Sequence, residues 1–166
     1  GGFFVQRLAC ELSDQIAAVA PGAATIGLPL MQSCQPKRRV PILIINGHAD
    51  PIVTWKGQFH RIRYAFRDSR IASVPEMIRF WRLTNGCTAA PIIKLLIHAG
   101  KDKQGVQING YPGCQAALEH IIIERGGHTW PGSNTKVWPG LVVGSLSHDI
   151  NATETIWAFF QAHPLP

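Results

Sequence analysis

The residues Gly-Gly-His-Thr-Trp-Pro-Gly at positions 126–132 follow an apolar run at 118–124 that has the length and composition of a buried strand. A similar run ends in the polar turn Asn-Gly-His-Ala-Asp-Pro at positions 46–51. Each turn places one ionisable side chain, His128 or Asp50, directly after a predicted strand. Loops at strand ends are where α/β folds carry their chemistry. The two segments therefore predict an α/β layered sheet with a site at the ends of its strands.

The rest of the chain alternates predicted helices with predicted strands. Apolar periodicity predicts a helix over 3–12, and Ser73 with Glu76 predicts a capping box that opens a second helix. The same pattern at Asn151 predicts the start of a final helix. Short apolar runs predict strands at 16–20, 40–45, 92–97, 106–108 and 118–124, and the remaining long stretches predict a loop at 22–39 and a surface excursion at 51–72.

Length and composition indicate one folded domain or part of one. The chain has 166 residues, of which 46% are hydrophobic and 16% charged, so disorder is disfavoured. The net charge is +6, but the basic clusters at 37–39 and 61–70 are not interleaved with aromatic residues. We therefore expect no nucleic-acid partner. No apolar run reaches the roughly 18 residues of a membrane span, so we expect no membrane partner either.

Four cysteines, Cys10, Cys34, Cys87 and Cys114, are widely spaced and form no Cys-x-x-Cys pair. Zinc-ligand spacing is therefore absent, and no metal is expected. Three disulfide connectivities are possible, and the pairs Cys10–Cys34 and Cys87–Cys114 are favoured because both close local loops. The competing interpretation is four buried free thiols. Disulfides would place the protein in an oxidising compartment, which is either extracellular or periplasmic.

An acyl-transfer site needs a nucleophile, a base that takes its proton, and an acid that orients the base. His128 suits the base because imidazole exchanges protons near neutral pH, and Asp50 suits the acid. Gly126 and Gly127 are expected to let the backbone turn tightly before the histidine. The competing interpretations are a turn-forming Asp50 before proline and a plain loop histidine. A metal site built from His48, Asp50 and His128 is disfavoured, because no two histidines have a short fixed spacing.

Three further residues are candidates for substrate binding. His48 lies two residues before Asp50, while Trp55 and Trp130 follow the two ionisable residues closely along the chain. The indole rings of both tryptophans offer flat apolar walls to an aromatic acyl group or a sugar. Packing in the core or at its rim is the competing interpretation for each of them.

Taken together, these motifs resemble the secreted polyhydroxybutyrate-depolymerase-like esterases, which include feruloyl and acetyl-xylan esterases. The most specific match is the run at 126–132, and the turn at 46–51 is the next. The resemblance covers nearly the whole chain, at positions 1–2, 7–11, 16–21, 46–51, 74–76, 80–81, 85–87, 126–132 and 149–153.

The resemblance implies a truncated α/β-hydrolase with a mostly parallel sheet, flanking helices and absent N-terminal strands. Residues 1–166 would be the C-terminal part of a single catalytic domain. Asp50 and His128 match the acid and the base, in the chain order Ser, Asp, His of that fold. No Gly-x-Ser-x-Gly motif occurs in the chain, so the serine would lie two positions before Gly1. We therefore expect residues 1–166 alone to be inactive and to expose an unpaired sheet edge with apolar surface.

The function that the resemblance implies is hydrolysis of a carboxylic ester without a cofactor. The substrate would be a polyhydroxyalkanoate, feruloyl or acetyl ester, found in a polyester or in the plant cell wall. An alternative is a secreted, disulfide-stapled module that binds a carbohydrate or polymer through Trp55, Trp130 and Trp138. A weaker alternative is a natural pseudoenzyme that never had the serine.

Overall fold

A computed structural model describes residues 1–57, 70–99, 104–134 and 140–165. The predicted excursion at 51–72 therefore falls mostly outside the described residues, as does Trp138. The helices and strands of the described part are α1 (Gly2–Glu11), α2 (Leu28–Ser33), β1 (Ile42–Gly47), α3 (Val74–Thr84), β2 (Ile92–Ile97), β3 (Val106–Gly110), β4 (Leu118–Ile123), α4 (Gly140–Val143) and α5 (Ala152–Gln161).

The four strands form one sheet in the order β1-β4-β3-β2. β1 and β4 are parallel, whereas β4 with β3 and β3 with β2 are antiparallel. The sheet of the described residues is thus mixed, and the expected predominance of parallel pairs is not found among these four strands. The reason is the length of the connections: residues 98–105 join β2 to β3 and residues 111–117 join β3 to β4. Both are too short for the crossover that a parallel pair requires.

A short extended segment continues the sheet beyond β1. Val19 pairs with Ile42, and Gly22 pairs with Ile45, both in parallel, at the end of the strand predicted over 16–20. The Val19 N–H donates to the Pro41 carbonyl, and the Val19 carbonyl accepts from Leu43. Backbone groups alternate in direction along a strand, so those of the residues on either side of Val19 point away from β1.

An open sheet edge and an apolar groove lie at this side of the molecule. The backbones of Ala18 and Ala20 make no hydrogen bond to the part of the chain that the structure describes. Beside them, α1 and α5 enclose a groove of about 520 Å³. Its walls are almost entirely apolar, and they include Leu8, Ile156 and Trp157. Among the described residues this edge is therefore unpaired, and the groove beside it is apolar, as the sequence led us to expect.

Two hydrophobic cores cover the two faces of the sheet. Alternate side chains of β1 point to opposite faces, so Ile42 and Ile44 pack in one core and Leu43 and Ile45 in the other. The first core contains residues of α1 and α3, and the second contains residues of α5. Burial of β1 on both faces explains why its sequence is a continuous apolar run.

Local hydrogen bonds account for the starts of two helices. At α3 the capping box is confirmed: Ser73 Oγ accepts from the Glu76 N–H at 3.3 Å, and Glu76 Oε2 accepts from the Ser73 N–H at 2.7 Å. At α5 the side chain of Asn151 accepts from two backbone N–H groups, so it caps the helix without the reciprocal contact predicted for it. The predicted loop at 22–39 contains a helix, α2, which begins with Pro29 in its first turn.

Both favoured disulfides are confirmed. Cys10 of α1 bonds to Cys34 at the end of α2, and Cys87, just beyond α3, bonds to Cys114. Their sequence separations are 24 and 27 residues. Closing loops of this length stabilises a fold by about 3 kcal/mol each in the chain-entropy description. All four cysteines belong to or pack against the core on the α1 and α3 face.

Candidate active site

The two predicted loops meet at the carboxyl ends of β1 and β4. These strands are parallel neighbours, so the loops that follow them emerge at the same edge of the sheet. The pairing continues into the loops, where His48 N donates to the Ile123 carbonyl at 2.9 Å and Ala49 N donates to the Gly126 carbonyl at 3.1 Å. The backbones therefore hold the Asp50 loop directly against the His128 loop.

A hydrogen bond joins the two ionisable side chains. His128 Nδ1 lies 2.8 Å from Asp50 Oδ2. The other carboxylate oxygen of Asp50, Oδ1, accepts from the N–H groups of Ile52 at 2.7 Å and Val53 at 2.9 Å. The Asp50 side chain is 2% exposed, while that of His128 is 32% exposed. The carboxylate is thus fixed from both sides, and the partly exposed imidazole can exchange a proton with a bound group at its other nitrogen.

Close backbone contact explains the glycines of the two loops. A Cβ on Gly47 would lie 2.5 Å from the Gly127 carbonyl oxygen and nearer still to that of Gly126. A Cβ on Gly127 would collide with the Val143 carbonyl oxygen. Neither Gly126 nor Gly127 has a positive φ. The expected reason for these glycines, freedom to turn, is therefore wrong; they are needed for space.

The segment at 143–145 is hydrogen-bonded to the backbone of the His128 loop. Gly127 N donates to the Ser145 carbonyl at 2.8 Å, and His128 N donates to the Val143 carbonyl at 2.6 Å. Gly144, which has a φ of 83°, lies against Pro51, the residue after the candidate acid. This segment therefore contacts both loops of the candidate site.

The three predicted substrate residues lie in two different places. His48 is exposed, and its ring centroid is 4.5 Å from that of Trp55, which is half-buried against the α1 and α3 core. Trp130 lines the apolar groove, is 45% exposed, and donates from Nε1 to Thr153 at 2.9 Å. His48 and Trp55 thus accompany the Asp50 loop, while Trp130 faces the groove. Their roles in substrate binding stay predictions.

A buried histidine for which the sequence predicts no role lies in β4, next to β1. His120 of β4 is 2% exposed, and its Nε2 lies 3.2 Å from Asn46 Oδ1. The amide of Asn46 donates to the Ala24 carbonyl at 3.0 Å, so its oxygen is left to accept from the imidazole. Burial lowers the pKa of His120 to about 3. Its signal in the sequence is a histidine, next to Glu119, inside a run that predicts a buried strand.

This pKa predicts a loss of stability in acid. The ordinary histidine pKa of 6.5 holds in the unfolded chain, so below it the unfolded state binds a proton that folded His120 refuses until about pH 3. The free energy of unfolding should fall by about 3 kcal/mol between pH 6.5 and pH 4 from this residue alone. Urea unfolding across this range should show a shallower pH slope for His120→Gln than for the wild type. The exposed His98→Gln is the control, and equal slopes for His120→Gln and the wild type would contradict the prediction.

Among the described residues, no three His, Cys, Asp or Glu side chains cluster in a way that could hold a metal ion. The described helices include none with the length and apolarity to cross a bilayer.

The chain is similar in sequence to a protein that is named as an esterase. It is 29% identical over 132 residues to feruloyl esterase B of Piromyces equi. The aligned part is 77% of this chain, but the chain spans only 23% of that relative's length. No family model matches the chain. The similarity is therefore distant, and it covers less than a quarter of the relative.

Proposed function

We propose that this chain carries the acid and the base of a serine ester hydrolase. Asp50 holds His128 with one ring nitrogen toward the carboxylate and the other available to take a proton from a serine hydroxyl and return it to the leaving alcohol. The observation that carries the proposal is the 2.8 Å contact between Asp50 Oδ2 and His128 Nδ1 at the ends of two parallel strands. Similarity to a feruloyl esterase supports the same chemistry.

The nucleophile is proposed to lie outside residues 1–166, which would form the C-terminal part of a truncated α/β-hydrolase domain. No Gly-x-Ser-x-Gly motif is present, and the similarity covers 23% of the relative. The parallel pairing of residues 19–22 with β1, and of β1 with β4, supports this fold. Residues 1–166 alone are then inactive, because base and acid have no hydroxyl to activate.

A feruloyl ester of the plant cell wall is the substrate class that the relative's name favours, with acetyl and polyhydroxyalkanoate esters as the other candidates. The proposed chemistry needs no cofactor. Two disulfides are consistent with an extracellular protein, and the proposed site of action is outside the cell.

An esterase assay in two forms of the protein tests the proposal. Expressed with the coding sequence that precedes Gly1 in its gene, the chain should hydrolyse ethyl ferulate and p-nitrophenyl acetate. His128→Ala should lower that turnover by about 10³-fold or more. Residues 1–166 alone should give no turnover above their own His128→Ala variant.

Two results would contradict the proposal. His128-dependent turnover by residues 1–166 would refute their inactivity. Binding to insoluble xylan or polyester by the extended chain, without any His128-dependent turnover, would favour the binding module instead.

A further inference from the structure

Three aromatic rings are in contact beside the segment that carries Asp50. The centroid of the Trp55 ring is 4.5 Å from that of His48, whose plane is tilted by 57°, and 5.8 Å from that of His120. The planes of Trp55 and His120 are inclined by only 20°, so these two rings are stacked. His48 and Trp55 flank the segment 49–54, which contains Asp50, and their contact brings the two ends of this segment together.

The His120 ring is fixed in the sheet. His120 lies in the middle of β4, opposite Ile44 of β1, and its hydrogen bond to Asn46 sets the plane of the imidazole. A ring that is buried and held in this way gives Trp55 a rigid surface to pack on. The Trp55 carbonyl also accepts from the Val74 N–H at 3.0 Å, which fixes the backbone at the same point.

The backbone between Asp50 and Trp55 connects the fixed Trp55 to the Asp50 carboxylate. Asp50 Oδ1 is held by the N–H groups of Ile52 and Val53, which lie between Asp50 and Trp55 along the chain. Val53 is itself 5% exposed. Freeing Trp55 would loosen these two donors, and the carboxylate could then rotate away from His128.

We propose that Trp55, stacked on His120, is a positioning residue that keeps the Asp50 carboxylate on His128 Nδ1, and that it does not form a wall of the substrate site. The inference rests on the proposed function, because it assigns Trp55 a role in orienting that acid and base.

The test measures the proton in the Asp50–His128 contact directly in residues 1–166. In the wild type, NMR should find the His128 Nδ1 proton at low field, in slow exchange with water, and Asp50→Asn should abolish it. Trp55→Leu, which keeps apolar volume but removes the ring, should speed its exchange by about tenfold or more, while Trp55→Phe should restore most of the protection. The control is Trp157→Leu, an exposed residue of α5.

A second readout uses the extended chain with ethyl ferulate. Trp55→Leu should lower kcat by about 10- to 100-fold with little change in KM, since a displaced catalytic group slows the chemistry and leaves binding intact. A raised KM with unchanged kcat would overturn the inference and make Trp55 a substrate wall. If Trp55→Leu fails to fold, His48→Ala takes its place, because it removes the exposed ring that contacts Trp55. His48→Ala should also speed the exchange of the His128 Nδ1 proton. Unchanged exchange in His48→Ala would overturn the inference.

The two proposals fail in different ways. A wild-type chain without the low-field proton would count against the proposed function. A wild-type proton that Trp55→Leu leaves fully protected would count against the positioning role alone.

Discussion

Asp50→Asn should lower kcat of the extended chain on ethyl ferulate by about 10⁴-fold with little effect on folding. The asparagine Oδ1 can still accept from Ile52 and Val53, so the loop keeps its shape. The amide nitrogen then faces His128 and donates to Nδ1, which moves the histidine proton to Nε2. The nitrogen that should accept the serine proton is then already protonated.

The tautomer itself can be measured in residues 1–166. The ¹⁵N chemical shifts of the His128 ring should report a proton on Nδ1 in the wild type and on Nε2 in Asp50→Asn. Asp14→Asn is the matched control, because Asp14 is an exposed carboxylate that pairs with Lys37. Activity of Asp50→Asn within tenfold of the wild type would remove Asp50 from the mechanism.

Gly47→Ala should destabilise the chain by about 3 kcal/mol and separate the two loops of the candidate site. The added methyl group would meet the backbones of Gly126 and Gly127, which are held by their own hydrogen bonds and cannot move aside as a side chain can. Relief requires β1 and β4 to part at the point where they carry Asp50 and His128. The variant should therefore also lose the slow exchange of the His128 Nδ1 proton.

Urea unfolding measures the first effect, and NMR measures the second. Gly140→Ala is the control, because a Cβ on Gly140 meets no atom of the described residues within 4 Å. This control should leave the free energy of unfolding unchanged or slightly raised, since alanine is the better helix former. Equal stability of Gly47→Ala and Gly140→Ala would show that a methyl group at position 47 fits between the two loops, which would contradict the prediction.

The sequence was sufficient where the determining interaction is local. The capping box of Ser73, the strand at β1 and the placement of Asp50 and His128 after strands all depend on neighbouring residues. The pairing direction of β2, β3 and β4 does not appear in hydrophobic periodicity. The lengths of the two connections do predict antiparallel pairing, because eight residues and seven residues are both too few for a crossover.

Other features could not be derived from neighbouring residues at all. The six-residue helix α2 has no side-chain cap and carries a proline in its first turn, so its sequence resembles a loop. The need for Gly47 and Gly127 comes from residues that are distant along the chain. The stacking of Trp55 on His120 joins positions that are 65 residues apart, and no periodicity in either segment indicates it.

The two cystines give the two sides of the sheet unequal tolerance of reducing agents. The core that α5 covers contains none of the bridged cysteines, whereas the opposite core holds both bridges. Thiol reagents, or production in the reducing cytosol of a host, would therefore weaken the layer of α1 and α3 and spare the other. Trp55 packs against the core of that same layer. The Asp50 carboxylate would therefore lose its fixed orientation before the fold as a whole is lost.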